Sequence, residues 1–376
     1  MDDSSKKTLI IAGSSIIGFI IVVLLIIWII SLIKPKYYDY EEVEEIVLEA
    51  TKEYYEANPT MLPASDGEYN LQYQALVTGE FIKPLEELLV DGASCSVDIV
   101  VSRYNDNYSY IPYLTCPGNY ETKELYKQVI DNNEIKTTGT GLYADTVNGE
   151  YYFRGEVTNN YVQLGTIKEK DTKVAVLWQI VSIGSDNTIK LRAVEALEKR
   201  YTWDDRYNIE ENASEGYNDF EKSRIKERLI SLETSETVMS DTLKAKLVPK
   251  ELCIGKRSEN DTTKDGSVEC AVKTESKMLF GLITPYEYMR ASLDENCIKA
   301  GSRSCKNYNF LGKNLSSQWT ITGNADESSK VFAFDSSKLY STKANADKKL
   351  YLVTNLNNRV LYKSGTGTKK DPYIFR

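Results

Sequence analysis

The chain of 376 residues contains no histidine. That removes Ser-His-Asp and Cys-His catalysis and every zinc site with a histidine ligand. It also removes the commonest general base near neutral pH. Chemistry would have to come from carboxylates, from serine beside lysine, or from thiols. Ser223-Arg224-Ile225-Lys226 has the Ser-x-x-Lys spacing of penicillin-binding enzymes, and Ser185-Asp186-Asn187 is a second piece of that set. Their order is reversed and no Lys-Thr-Gly follows, so chance is the simpler reading. Asp204, Asp205, Glu210, Glu211, Glu215 and Asp219 offer oxygen ligands for calcium, although without EF-hand spacing. The same residues could supply a carboxylate pair for glycoside hydrolysis, and a solvated loop is the plainer alternative. Gly312-Lys313 is followed by Asn314 and fails as a P-loop. Gly365-Thr366-Gly367 opens no helix and reads as a simple loop.

The six cysteines are Cys95, Cys116, Cys253, Cys270, Cys297 and Cys305. Six cysteines allow about 15 connectivities. Proximity along the chain suggests Cys95–Cys116, Cys253–Cys270 and Cys297–Cys305, each closing a short loop worth about 3 kcal/mol. No CxxC occurs, which disfavours a zinc ribbon or a thioredoxin-like site. Three nearby pairs behind a membrane anchor point outside the cytoplasm.

The anchor is Thr8–Ile33, a run without one charged residue. As a helix it would reach roughly 39 Å, more than the ~30 Å hydrocarbon core. A signal peptide would have a shorter apolar run and a small-residue cleavage site. The exit Ser31-Leu32-Ile33-Lys34-Pro35-Lys36 has no such site. Flanking charge does not set orientation, because Lys6 and Lys7 balance Lys34 and Lys36. The cysteines place the body outside and the N-terminus in the cytoplasm. The net charge of −9 argues against a nucleic-acid partner.

Beyond the anchor, Val43, Ile46, Val47, Ala50 and Tyr54 recur at helical spacing over Tyr40 to Asn58. Gln72 to Leu89 reads as a helix. Val97–Val101 and Tyr108–Leu114 read as a hairpin around Tyr104-Asn105-Asp106-Asn107. Thr137–Gly141 reads as a linker. Strand-like runs follow at Tyr151–Val157, Val174–Ile183, Thr188–Val194, Met278–Ile283, Val331–Phe334 and Leu350–Val353. Two helices carry start signals. Asn218-Asp219-Phe220-Glu221 has capping-box spacing ahead of Ile225, Leu229 and Leu232, and Thr284-Pro285-Tyr286-Glu287 opens the other. Trp178 sits in an apolar strand, and Trp203 borders the acidic run, where either burial or a binding face is open. Asn107, Asn212, Asn260 and Asn314 head Asn-x-Ser/Thr sequons.

The second half carries an ordered set of short motifs. They are Tyr151–Gly155 with Asn159–Val162, Leu177–Val181, Ile189–Arg192, Asn218–Phe220, Gly281–Thr284 with Glu287-Tyr288, Trp319-Thr320 and Arg359–Leu361. The set closes on Gly365-Thr366-Gly367-Thr368 and Asp371-Pro372-Tyr373. This order resembles uncharacterised bacterial surface domains related to the C-type-lectin-like, sulfatase-modifying-factor-like fold. The first half is similar in outline to type IV pilin-like proteins, although Lys6–Ile11 lacks their Gly and Glu.

The resemblance implies an α+β chain in three parts. These are a tail and transmembrane helix (1–36), an amphipathic helix with a small pilin-like module (37–135), and a C-type-lectin-like domain (136–376). The expected function is a membrane-anchored surface protein that binds a protein or glycan, without catalysis and without a cofactor other than a conceivable calcium ion. A structural pilus subunit is the first alternative and a carboxylate-dependent hydrolase the second.

Overall fold

The computed structural model describes residues 37–376 except 105, 170–171, 235–238, 298, 303–304, 306–308 and 313–315. The expected transmembrane span Thr8–Ile33 lies outside them. Among the described residues no helix is long and apolar enough to cross a membrane. The chain divides between Thr122 and Lys123 into two compact units. The architecture is mixed α/β with mostly β-sheets. For the described residues it corrects the expected α+β arrangement of a pilin-like module followed by a C-type-lectin-like domain.

In the first unit, α1 (Tyr40–Ala57) opens with a capping box between Asp39 and Glu42. Two amides that the first turn leaves free are thereby satisfied. Val43, Val47 and Ala50 fall on one face and are buried with Leu76, Ile99 and Leu114. Four antiparallel strands follow in sheet order β1 (Gly67–Gln72), β2 (Ser96–Tyr104), β3 (Asn107–Cys116) and β4 (Tyr120–Glu121). The expected helix over Gln72–Leu89 breaks into α2 (Tyr73–Thr78) and α3 (Leu85–Leu88). Gly79 ends the first piece, and Pro84, which has no N–H to donate, immediately precedes the second. Cys95–Cys116 closes the open end of the β2–β3 hairpin.

The second unit begins with α4 (Leu125–Asp131), before the expected boundary at 135. Leu125 and Val129 are buried in its core, and the Leu125 amide donates to Val360 O at 2.8 Å. One sheet contains β5 (Gly141–Asp145), β6 (Glu150–Arg154), β7 (Tyr161–Glu169), β8 (Thr172–Ile183), β9 (Ile189–Ala193) and the late strand β15 (Val353–Leu356). Its order is β15-β9-β8-β6-β5, with β7 also on β8. A second sheet runs β10 (Arg200–Tyr201), β14 (Lys348–Lys349), β11 (Gln318–Gly323), β12 (Lys330–Phe334), β13 (Leu339–Lys343). The pair β16 (Tyr362–Ser364) and β17 (Ile374–Phe375) ends the chain. Trp203, Trp319, Phe280, Phe332, Phe334 and Tyr288 are fully or almost fully buried. Each contributes about 1.5–3 kcal/mol or more by its removal from water.

Two expected elements differ. Among the described residues Met278–Ile283 forms isolated bridges, Lys250–Met278 and Gly281–Val353, and no continuous ladder. The helix over Ile225, Leu229 and Leu232, α5 (Arg224–Glu233), buries all three, but its cap is Ser223 and not Asn218. Asp219 caps the separate 3₁₀ turn Phe220–Lys222.

Candidate functional site

A cleft of about 820 Å³ opens within the second unit. Its polar rim and floor come mainly from four segments, and residues of 279–282, 321 and 353–355 complete the lining. The first is the β8–β9 turn. There Asp186 accepts bonds from the Thr188 amide and hydroxyl at 3.2 and 2.7 Å, closing a short turn. The second is the β5–β6 turn, with Asn148 and Glu150. The third runs from Lys250 to Cys253 and from Asp265 to Cys270, including the short helix α6 (Ser267–Cys270), and is stapled by Cys253–Cys270. The fourth is the start of α7 (Pro285–Ala291), where Thr284 and Glu287 form a complete capping box.

Glu287 is the hub. Its Oε2 accepts from the Thr284 amide at 2.9 Å, and its Oε1 pairs with Lys190 from β9. Burial pushes its carboxyl up, but Lys190, the Thr284 amide and Arg290 together hold it below the ordinary carboxylate range. Arg290 donates to Glu150 at 3.1 Å and to the Tyr286 hydroxyl at 3.3 Å. Its guanidinium also lies over the rings of Tyr152 and Tyr286, at 4.4 and 4.9 Å. Burial pulls its pKa down, yet Tyr286, Glu150 and Glu287 more than offset this. Burial likewise pushes Asp186 up, and bonds from Lys250 and Thr188 bring it below the usual range.

Ser182, the cross-strand partner of Lys190, lines the same cleft. It is only 7 % exposed, and its hydroxyl makes no hydrogen bond among the described residues. Fixed charged pairs around one unpartnered hydroxyl form a preorganised polar surface, suited to holding a small polar ligand by hydrogen bonds.

The residues singled out from sequence mostly lie elsewhere. Ser223 is buried, accepts from the Lys226 amide at 3.2 Å and donates to Phe220 O at 2.8 Å. It is a helix cap, and the Lys226 ammonium pairs with Glu221 instead. Only Ser185 and Asp186 of the other fragment reach the cleft rim.

The acidic run does not converge. Arg206 binds Asp204, Arg224 binds Asp205, the Tyr217 hydroxyl binds Glu210, Ser328 and Ser329 bind Glu211, Lys343 binds Glu215, and Asp219 caps a turn. Among the described residues one group of three Cys, Asp or Glu side chains lies close enough to share a metal ion: Asp91, Cys95 and Cys116. The two sulfurs are already bonded to each other.

Trp203 is fully buried and donates to Thr320 O at 3.1 Å, and Trp319 donates to Tyr201 O at 2.7 Å. Neither borders the cleft. Trp178 is also buried. Cys253–Cys270 forms part of the cleft wall, and Cys297–Cys305 pairs outside it.

The terminal Gly-Thr-Gly-Thr loop is a clasp on β7. Gly367 O accepts from the Tyr161 amide at 2.7 Å, and the Tyr161 carbonyl accepts from the Tyr373 amide at 2.9 Å. Gly365 and Gly367 have φ of 96° and 79°. A Cβ on Gly365 would meet Pro372 O at 2.0 Å, so the position requires glycine. Asn107, Asn212 and Asn260 are exposed, and Asn314 lies outside the described residues.

Lys190, Glu287, Arg290, Glu150 and Ser182 were not candidate site residues on sequence grounds. Their one local signal, the Thr284–Glu287 capping box, marks a helix start and says nothing of a site. No protein-family model matches this chain, and neither does any curated protein or solved structure.

Proposed function

We propose that the protein is an extracytoplasmic binding protein, attached to a membrane through the apolar segment 8–33, whose recognition site is the cleft of the second unit. The observation that carries this reading is the set of ion pairs Lys190–Glu287 and Arg290–Glu150 fixed around the unpartnered Ser182 hydroxyl. Such a surface offers donors and acceptors held in place before a ligand arrives, which lowers the ordering cost of binding. The three disulfides support an oxidising compartment.

The test uses the detergent-solubilised full chain on an array of short peptides and glycans, beside its Ser185→Trp variant. Ser185 is exposed at the cleft rim, so the indole blocks entry without entering the core. At least one array element should be retained by the wild type and lost by the variant. If both proteins give the same pattern, the cleft is not the recognition site.

A further inference from the structure

The rim and the floor of the cleft differ in charge balance. Six carboxylates line the cleft (Glu150, Asp186, Glu251, Asp265, Glu269 and Glu287) against three cations, Lys190, Lys250 and Arg290. Four of the acids are neutralised inside the protein: Glu150 by Arg290, Asp186 by Lys250, Glu287 by Lys190, and Glu269 by the buried Arg257 behind the wall. The other two stand on the disulfide-stapled wall. Glu251 pairs only loosely, with the half-exposed Lys273 at 3.9 Å. Asp265 accepts from the amide and hydroxyl of Ser267 at 3.0 and 2.6 Å and makes no ion pair among the described residues. Those bonds from Ser267 hold its carboxyl below the ordinary range, so it is ionised at neutral pH. The floor is neutral in sum and presents the free, 93 % buried Ser182 hydroxyl, the complement of its 7 % exposure.

Resting on the binding reading above, we propose that the cleft takes a lysine-bearing peptide segment: its ammonium groups lie against Glu251 and Asp265, and a backbone amide bonds the Ser182 hydroxyl. An anionic ligand would meet, at the entrance, Asp265, which makes no ion pair among the described residues, and the loosely paired Glu251, and like charges there disfavour it. A neutral ligand would leave both acids without new partners. A peptide with ammonium groups satisfies the acids and the hydroxyl together, and 820 Å³ accommodates a few residues.

The experiment is calorimetric titration of the full chain in detergent with trilysine, triglutamate and maltotriose, on the wild type, Ser185→Trp and the double variant Glu251→Gln/Asp265→Asn. Trilysine should bind the wild type, about tenfold more weakly to the double variant, as expected when two exposed charge contacts are lost. Its binding should weaken as salt rises and should be lost in Ser185→Trp. Both rim acids are exposed and are replaced by isosteric amides, and equal melting temperatures confirm that the double variant folds. Trilysine affinity that is equal in wild type and double variant overturns the proposal, as does tighter binding of triglutamate. If maltotriose alone binds, and Ser185→Trp abolishes it, the ligand class is wrong while the cleft stands as the recognition site. If no probe binds the wild type, the peptide proposal fails, and the peptide and glycan array with Ser185→Trp decides separately whether the cleft binds anything.

Discussion

Two arginines of the second unit are completely removed from solvent, and they are treated in opposite ways. Arg257, behind the cleft wall, grips Glu269 with two parallel bonds of 2.8 and 2.9 Å. It also donates to Thr263 O at 3.2 Å and to Asp261 at 3.3 Å. Arg192, in β9, has one side-chain acceptor, Gln318 Oε1 at 2.8 Å, and lies 4.2 Å from the centre of the Tyr351 ring. Its Nε and Nη1 and the Gln318 Nε2 find no acceptor among the described residues. Burial pushes the Arg192 pKa down to about 10, which still leaves it charged at neutral pH. The difference is one of chain geometry. Arg257 and Glu269 both lie in the loop closed by Cys253–Cys270, so a short segment brings its own counter-charge. Arg192 is fixed by sheet register opposite Gln179 and Val353, and among the described residues it pairs with no acid. Of the two, the arginine with a full set of partners is the one behind the cleft wall.

Breaking the Arg257 pair is the severest test. Glu269→Ala leaves a buried guanidinium without its bidentate partner and frees the Tyr286 amide, which Glu269 accepts at 3.1 Å. The expected loss is about 3–5 kcal/mol in urea unfolding. A loss below about 1 kcal/mol would mean that the pair contributes no more than an exposed one. Removing the staple by Cys253→Ala/Cys270→Ala should cost about 2–4 kcal/mol. Combining it with Glu269→Ala should cost less than the sum, because both changes act on one loop. Additive losses would show that the loop does not act as a unit.

The Lys190–Glu287 pair should appear in the pH dependence. The folded pKa of Glu287 lies below its unfolded value, so its stabilisation is present above the unfolded value, near the ordinary 4.5. It is lost as pH falls through the folded value. In Lys190→Met, burial is left without its largest offset, and the Glu287 carboxyl should rise. The sign then reverses: the stability gained between pH 4 and pH 7 should shrink or invert relative to wild type. Unfolding free energies measured across that range decide the point. Parallel curves for the two proteins would remove Lys190 as the cause.

What the sequence reveals of this molecule follows the distance over which each contact acts. Val43, Val47 and Ala50 mark a helix because one turn relates them, and the β2–β3 hairpin is legible because its strands are neighbours in the chain. The three disulfides join cysteines that are near in sequence. The β8 and β9 runs likewise appear close to their observed bounds. The cleft left no such trace. Lys190 meets Glu287 across 97 positions and Arg290 meets Glu150 across 140. No local spacing carries either pair. The acidic run drew attention because its carboxylates are adjacent in sequence, but in space each one turns to a different partner. Ser223 fell into a nucleophile pattern because helix caps use the same residue type three positions before a main-chain donor.

The smallest expected effect is at Arg192, and it sharpens the comparison most. Replacing it with methionine removes a buried charge and two donors without acceptors, each of which costs about 1–3 kcal/mol while it stays buried. The change also forfeits the Gln318 bond and the contact with the Tyr351 ring, worth about 1–2 kcal/mol each. These contributions nearly cancel, so Arg192→Met should shift stability by less than about 1 kcal/mol. Adding Gln318→Leu removes the amide that the first change leaves without a partner, and the double variant should be at least as stable as wild type. The measurement is urea unfolding beside Arg257→Met, which should lose several kcal/mol because Glu269 stays buried and unpaired. If Arg192→Met costs as much as Arg257→Met, then Arg192 has an acceptor beyond Gln318 and the two arginines are alike. If it costs almost nothing, the cleft wall is the place where this fold holds a buried charge with a full set of partners.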